Sequence, residues 1–332
     1  MNLQNNVYVD ELRSLMKANG LSEPSIKLHI SNIKRLYDFT LSKNKNKRYF
    51  RNSNFLKDYD TIVSILYKKY DNLNTIKSYI SSIIALIETK HHTIPKKTQK
   101  KYMDLITELK RQYDTSDKSI KSHKEEQNWI TQDEIKNIKN ELLEKIDNKH
   151  LFTEKQNWNN HLKILLLSLY TDIPPRRNQD YILMKIIDKD FNYDNMNTKY
   201  NYIDLENERM IFNKYKTSRT NKQQFLDYSI YHDFKKILNI YLEGYKNLIQ
   251  KGSNLKDLFL LINDDGTPFK HSNTITRKLN DLFDKNVSSS LLRKIYISNY
   301  YGDNLEVLKQ MNILAKKMGH SINTSSNIYI KK

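Results

Sequence analysis

The 332 residues include 56 Lys and Arg against 38 Asp and Glu, a formal charge of +18, with six glycines, five prolines and no cysteine. The missing cysteine excludes disulfides, thiolate zinc sites and cysteine nucleophiles, and scarce helix breakers argue for a mainly helical protein. A charge of +18 repels itself until a polyanion neutralises it, which makes nucleic acid the first candidate partner and an anionic membrane surface the second.

The length fits two domains at ~100–200 residues each. The amino-terminal stretch MNLQNNVYVDEL has neither the basic nor the apolar region of a secretory signal. The apolar run ILLLSLY (164–170) is far below the ~18 residues that span a bilayer. VYVDELRSLMKANG (7–20) reads as a helix with apolar residues at Val7, Leu12, Leu15 and Met16 and a stop at Gly20. SEPSIKLHISNIKRLYDFTL (22–41) follows, with Ser22 as cap and Pro24 in the first turn. Its Ile26, Ile30, Ile33 and Leu36 share one helical stripe, and Lys27, Lys34 and Arg35 lie off it. The phrase SIKLHISNI (25–33) returns as TIKSYISSI (75–83), either by chance in a chain rich in Ile, Lys and Ser or as two equivalent helical hairpins. Residues 1–115 therefore form a basic, all-helical module expected to grip a partner rather than to do chemistry.

DTSDKSIKSHKEEQN (114–128) is polar and aperiodic, so residues 116–128 are read as a linker. Thr131 and Glu134 make a capping-box pattern that opens a second domain over 129–332. NNHLKILLLSLYTD (159–172) is a central apolar helix, and YNYIDLENERMIFNKYKTSRTNKQQFLDYS (200–229) alternates in short runs that predict a small antiparallel sheet of three strands. A helix over SIYHDFKKILNIYLEGYKNLI, an Asp265–Gly266 turn and three closing helices complete the reading. The expected fold class is α+β: mainly helical, with a small antiparallel sheet in the second domain.

No glycine-rich phosphate loop and no HExxH is present. Adjacent His91 and His92 make a poor chelate, and Asp264–Asp265 reads as a turn rather than a calcium loop. LYTDIPPRRNQDY (169–181) sets two prolines and Arg176–Arg177 directly after the most apolar helix. The prolines rigidify the exit. Asp180 stands three residues beyond Arg177, where it can orient that guanidinium as a phosphate clamp; taken alone, the motif reads more readily as a helix-end arginine paired with a carboxylate. SSSLLRKIYISNY (288–300) puts Arg293 among Leu291, Leu292, Ile295 and Ile297, where a guanidinium needs an anionic partner. Gly319–His320 and, nine residues on, Tyr329 close the chain.

In this order the motifs resemble the tyrosine recombinase/integrase family, and the PPRRNQDY form resembles the variant of mobile elements and large viruses. The resemblance covers the whole chain loosely, with 1–115 similar to the helical core-binding domain and 129–332 to the catalytic domain. It implies site-specific DNA strand breakage and rejoining through a 3′-phosphotyrosyl intermediate, without metal or nucleotide cofactor. It implies Arg177 and Arg293 as phosphate clamps, His320 on the same phosphate, Tyr329 as nucleophile and Lys216 as the β-turn lysine that protonates the leaving group, with Lys214 and Lys222 close by. Ser290 stands where the family has histidine and Asp180 where it has glutamate; a serine can bond a phosphate oxygen but cannot carry a proton at neutral pH. The resemblance further implies double-stranded DNA as partner, a homotetramer on paired sites, and an intracellular location wherever the target DNA lies, nucleus or cytoplasm of a host cell for a viral chain. Only Ile330, Lys331 and Lys332 follow the tyrosine, so subunit contacts are expected on another surface. The alternatives are a type IB topoisomerase-like relaxing enzyme and a catalytically impaired DNA-binding relative.

Overall fold

Helix formation in the first half follows from caps and apolar stripes. In the computed structural model, which describes residues 7–41, 52–115, 121–189, 191–218, 222–249 and 258–318, the chain divides into two units, 1–120 and 121–332. The first unit contains helices α1 (Val7–Ala18), α2 (Glu23–Thr40), α3 (Tyr59–Lys69), α4 (Leu73–Glu88) and α5 (Lys96–Thr115). α1 ends in left-handed Gly20, at φ +82°, a conformation that costs a side-chain-bearing residue about 1–2 kcal/mol. It buries Val9, Leu12 and Met16 and leaves Val7 and Leu15 exposed, because three- and four-residue steps, not apolarity alone, keep residues on one stripe.

The repeated phrase lies on α2 and α4, which pack on each other. The correspondence runs through both hairpins at an offset of fifty positions: Leu12 with Ile62, Met16 with Leu66, Ile26 with Ile76, Ile30 with Ile80, Ile33 with Ile83 and Leu36 with Leu86, every one buried. The caps Ser22 and Asn72 also correspond. Asn32 and its counterpart Ser82 meet at the interface, with Asn32 Nδ2 donating to Ser82 Oγ at 3.1 Å. α1 touches α4 and α2 touches α3, so each hairpin's first helix supports the other's second. Each buried isoleucine or leucine contributes about 1.5–3 kcal/mol, and the polar pair fixes how the two helices register.

The second unit begins with α6 (His123–Gln127), α7 (Gln132–Asp147) and α8 (Glu154–Thr171). α6, within the stretch read as linker, is tied by charge and amide contacts rather than by apolar periodicity. Ser122 and Glu125 form a capping box, Lys294 pairs with Glu125, and the Asn286 backbone N–H donates to Asn128 Oδ1 at 2.7 Å. The Thr131–Glu134 box opens α7. α8 contacts four later or earlier helices: α7, α10 (His232–Leu248), α11 (Ser272–Phe283) and α12 (Ser289–Tyr301). It is buried nearly all round along Trp158–Tyr170, as an apolar helix at the centre of a core must be.

The sheet corrects the three-stranded antiparallel expectation. It has four strands in the order β1 (Lys185–Ile187), β2 (Tyr202–Asp204), β3 (Arg209–Phe212) and β4 (Gln224–Asp227). β2, β3 and β4 pair antiparallel, but β1 pairs parallel with β2, Ile186 opposite Ile203. The crossover over 188–201 is long enough to return the chain in the same direction, and β1 is a short apolar run with no alternation to announce it. On its other side, Leu260 N–H donates to Met184 O at 2.7 Å and Ile186 N–H to Leu258 O at 2.8 Å. The Asp265–Gly266 turn follows, with Gly266 at φ +78°. α13 (Leu305–Lys317) closes the described residues. The architecture is α+β, and among the described residues no helix is long and apolar enough to cross a membrane.

Candidate active site

The exit of α8 is locked before the arginines appear. Tyr170 OH donates to Asn178 Oδ1 at 2.5 Å, and Asn178 Nδ2 donates to Ser272 O at 3.1 Å and Thr276 Oγ1 at 2.9 Å. Tyr181 OH donates to Leu169 O and accepts from the Arg176 backbone N–H, both at 3.1 Å. Pro174 and Pro175 fix the connection, and α9 (Asn178–Tyr181) starts immediately after Arg177, its N-cap. Two tyrosines and an asparagine thus fasten the segment to α8 and α11. Burial raises the Tyr170 and Tyr181 hydroxyls above the ordinary tyrosine range, so both act as neutral hydrogen-bonding groups.

Asp180 takes a partner other than the expected one. Its carboxylate, 1% exposed, accepts from Arg176 Nε at 3.2 Å, while the Arg177 guanidinium forms no hydrogen bond or ion pair among the described residues and its carbonyl accepts from the Asp180 backbone N–H at 2.8 Å. Burial pushes the Asp180 carboxyl up from its usual range, against the lowering charges of Arg176 and Arg177. The reason is tertiary: the sheet engages Arg176 as well and holds its guanidinium beside that carboxylate. Its Nη1 donates to Gln224 Oε1 at 2.8 Å, and its guanidinium lies 4.2 Å from the Phe212 ring centre and 5.2 Å from that of Tyr215.

Arg293 sits in the second turn of α12, whose N-cap Ser288 accepts from Leu291 N–H at 3.1 Å. Leu291, Leu292 and Ile295 bury that helix against the core. Arg293 is half-buried, and its guanidinium, like that of Arg177, has no hydrogen bond or ion pair among the described residues. It lies near enough for its charge to act on both Tyr170 and Tyr181. The charge of Arg177 thus acts on Asp180 and that of Arg293 on Tyr170 and Tyr181, all in the buried cluster at the exit of α8, and neither guanidinium is committed among the described residues. A groove beside the end of α8 is lined by Tyr170, Asp172, Leu292, Tyr296 and Tyr300. Ser290 is exposed in the first turn of α12, three residues before Arg293.

Lys216 is exposed in the connection between β3 and β4. The base of that connection is held by Asn201, a buried residue that nothing in the sequence announces. Its Nδ2 donates to Asp180 O at 2.6 Å and Lys214 O at 3.0 Å; its Oδ1 accepts from Asn213 N–H at 2.9 Å and Lys214 N–H at 2.8 Å. His320 and Tyr329 lie outside the described residues. Among those described, no group of three or more His, Asp or Glu is placed to hold a metal ion.

No family model matches the chain, and no curated protein does. Among solved structures the chain is similar to the crystal structure of XerA recombinase, at 14% identity and a TM-score of 0.34, over 90% of this chain and 85% of that one.

Proposed function

We propose that the chain is a DNA strand-breaking and rejoining enzyme of the tyrosine recombinase kind. One observation carries the reading. Two guanidiniums without a partner among the described residues, Arg177 and Arg293, act by charge on members of one buried cluster, Asp180, Tyr170 and Tyr181, in a chain of charge +18. Uncommitted half-buried arginines are costly unless an anion completes them, and a phosphodiester has the charge and the paired oxygens that suit the guanidinium fork.

In this reading Arg177 and Arg293 bind the non-bridging oxygens of the scissile phosphate, and His320 donates to the same group. The Tyr329 oxygen attacks phosphorus, and the bond from phosphorus to the 5′ oxygen breaks. Lys216 gives its proton to the departing 5′ oxygen, and the phenol's proton passes to His320 or to water, since Ser290 cannot take it. The new phosphotyrosyl ester conserves the energy of the broken one, so rejoining needs only the reverse attack by a 5′ hydroxyl. Preorganised cations around the developing charge supply the rate. Unit one grips duplex DNA through its basic faces, and a tetramer of chains works on paired sites.

The test is a DNA duplex selected from a random pool for binding and then nicked next to the cleavage position, so that the departing strand diffuses away. Wild type is expected to leave a protein–DNA adduct that survives detergent, and Tyr329→Phe to bind equally and leave none. An adduct formed by the Phe variant assigns the nucleophile elsewhere; no adduct with wild type on any bound site leaves a DNA-binding protein without this chemistry.

A further inference from the structure

The tandem Arg176–Arg177 invites a reading as two interchangeable phosphate ligands, but their commitments are opposite. We infer that Arg176 is a positioning residue that sets the hairpin connection carrying Lys216 against the segment carrying Arg177; the catalytic part of this inference rests on the function proposed above.

The guanidinium of Arg176 meets the hairpin at three places. Phe212, under its face at 4.2 Å, is the last residue of β3; Gln224, accepting from Nη1 at 2.8 Å, is the first of β4; Tyr215, at 5.2 Å, belongs to the connection itself. Tyr215 in turn closes the connection by donating its hydroxyl to Lys222 O at 2.8 Å. The other edge of Arg176 holds Asp180 at 3.2 Å, and its backbone N–H holds Tyr181 at 3.1 Å. One side chain therefore spans from both strand ends to the turn of helix that follows Arg177. Asn201 makes a second, parallel stitch between Asp180 and Lys214. Of the five N–H donors of Arg176, the Nε one is committed to Asp180 and one on Nη1 to Gln224, the two edges that face the protein.

Only arginine fits this position. The contacts need a planar face for the two rings and donors on two edges, whereas an ammonium is a single point charge on a flexible stem. The sequence-level ambiguity between the two arginines is thus resolved by division of labour. Arg176 spends its hydrogen bonds within the protein and holds the hairpin; Arg177, adjacent and uncommitted, keeps its own for a ligand. Loss of Arg176 is expected to change where Lys216 stands without removing any group that touches DNA.

Two measurements on the full chain test this. In hydrogen–deuterium exchange, Arg176→Lys, which keeps a positive charge beside buried Asp180, and Gln224→Leu, which breaks only the hairpin link, are each expected to speed exchange across 213–226 while α10 stays as in wild type. Arg177→Lys is expected to leave 213–226 unchanged. Wild-type protection of 213–226 in both Arg176→Lys and Gln224→Leu overturns the inference, whatever the protein's activity. The second measurement compares cleavage of a duplex whose leaving group is the ordinary 5′ oxygen with one carrying a 5′ bridging sulfur, which departs without being protonated. Arg176→Lys is expected to lose about tenfold or more on the oxygen substrate, as for a misplaced general acid, and to return to near wild-type rate on sulfur; Arg177→Ala is expected to be slow on both. Equal loss of Arg176→Lys on both substrates overturns a role through Lys216. Failure of wild type on both substrates strikes the proposed function instead, and the exchange result still decides the positioning role.

Discussion

Gly244 lies on α10 where that helix crosses His161 of α8, and replacing it with alanine tests how closely the second unit's core is packed. A Cβ at this position would stand 2.5 Å from His161 Cδ2, 2.6 Å from Cγ and 3.0 Å from Nε2. Ordinary carbon contacts begin near 3.5 Å, so the ring must retreat by about 1 Å. A groove lined by Asn157, Trp158 and Asn247 opens beside the ring, so what opposes the retreat is the ring's own anchoring. His161 is buried, and its Nδ1 is hydrogen-bonded to Asn157 O at 2.8 Å. Overpacking a filled core costs about 1–3 kcal/mol, and breaking the histidine bond adds about 1 kcal/mol. Alanine returns about 1 kcal/mol through helix propensity. Gly244→Ala should therefore destabilise by about 1–3 kcal/mol in sum. Both tryptophans of the chain, Trp129 and Trp158, lie in the second unit, and Trp158 touches Tyr241 of α10 at 5.3 Å between ring centres. Urea unfolding followed by tryptophan fluorescence thus reports this unit alone. In a His161→Ala background the same substitution should stabilise, a coupling of more than ~1 kcal/mol between residues in contact. A Gly244→Ala protein as stable as wild type, or a null coupling, would refute the packing argument.

Three other outcomes are expected. Arg177→Ala and Arg293→Ala should each slow adduct formation about 10²–10³-fold while the protein still folds, measured by single-turnover cleavage; unchanged rates would remove them from the site. Lys90, exposed and left-handed at φ 59° just after α4, should stabilise the first unit by about 1 kcal/mol on replacement by glycine, seen as an about fivefold slowing of the most protected α4 amides. The Lys294 ammonium, with help from Ser122, holds the Glu125 carboxyl down from 4.5 to about 2. A depressed folded value stabilises α6 docking above the ordinary carboxylate range and loses that contribution as pH falls from about 4.5 towards 2. Exchange at α6, corrected for intrinsic rate, should therefore accelerate on acidification, and Lys294→Met should shrink that acid step, leaving the part that Ser122 supplies.

Much of this protein was legible in local chemistry. The Thr131–Glu134 box, the Ser22 cap with Pro24 behind it, the Gly20 stop and the stripe Ile26, Ile30, Ile33, Leu36 each depend on residues within a few positions of one another, so one sequence suffices to read them. The fold class and the central place of α8 followed from the same kind of pattern, and the fifty-residue correspondence of the two hairpins is itself a sequence property that became evident once burial marked which positions matter. Partner choice is different. Asp180 was read as the companion of Arg177, and it bonds Arg176, because Phe212 and Gln224 from a hairpin some forty residues away fix the Arg176 fork over that carboxylate. Asn201 had no signal at all, since an asparagine between two polar turns is ordinary until its four hydrogen bonds are seen. β1 was missed because three residues carry no period, and its parallel pairing depends on a crossover rather than on any turn. Periodicity and caps are short-range and written in order along the chain; the commitment of a side chain to one partner over another is settled by which distant backbone arrives beside it, and that arrival exists only in the folded protein.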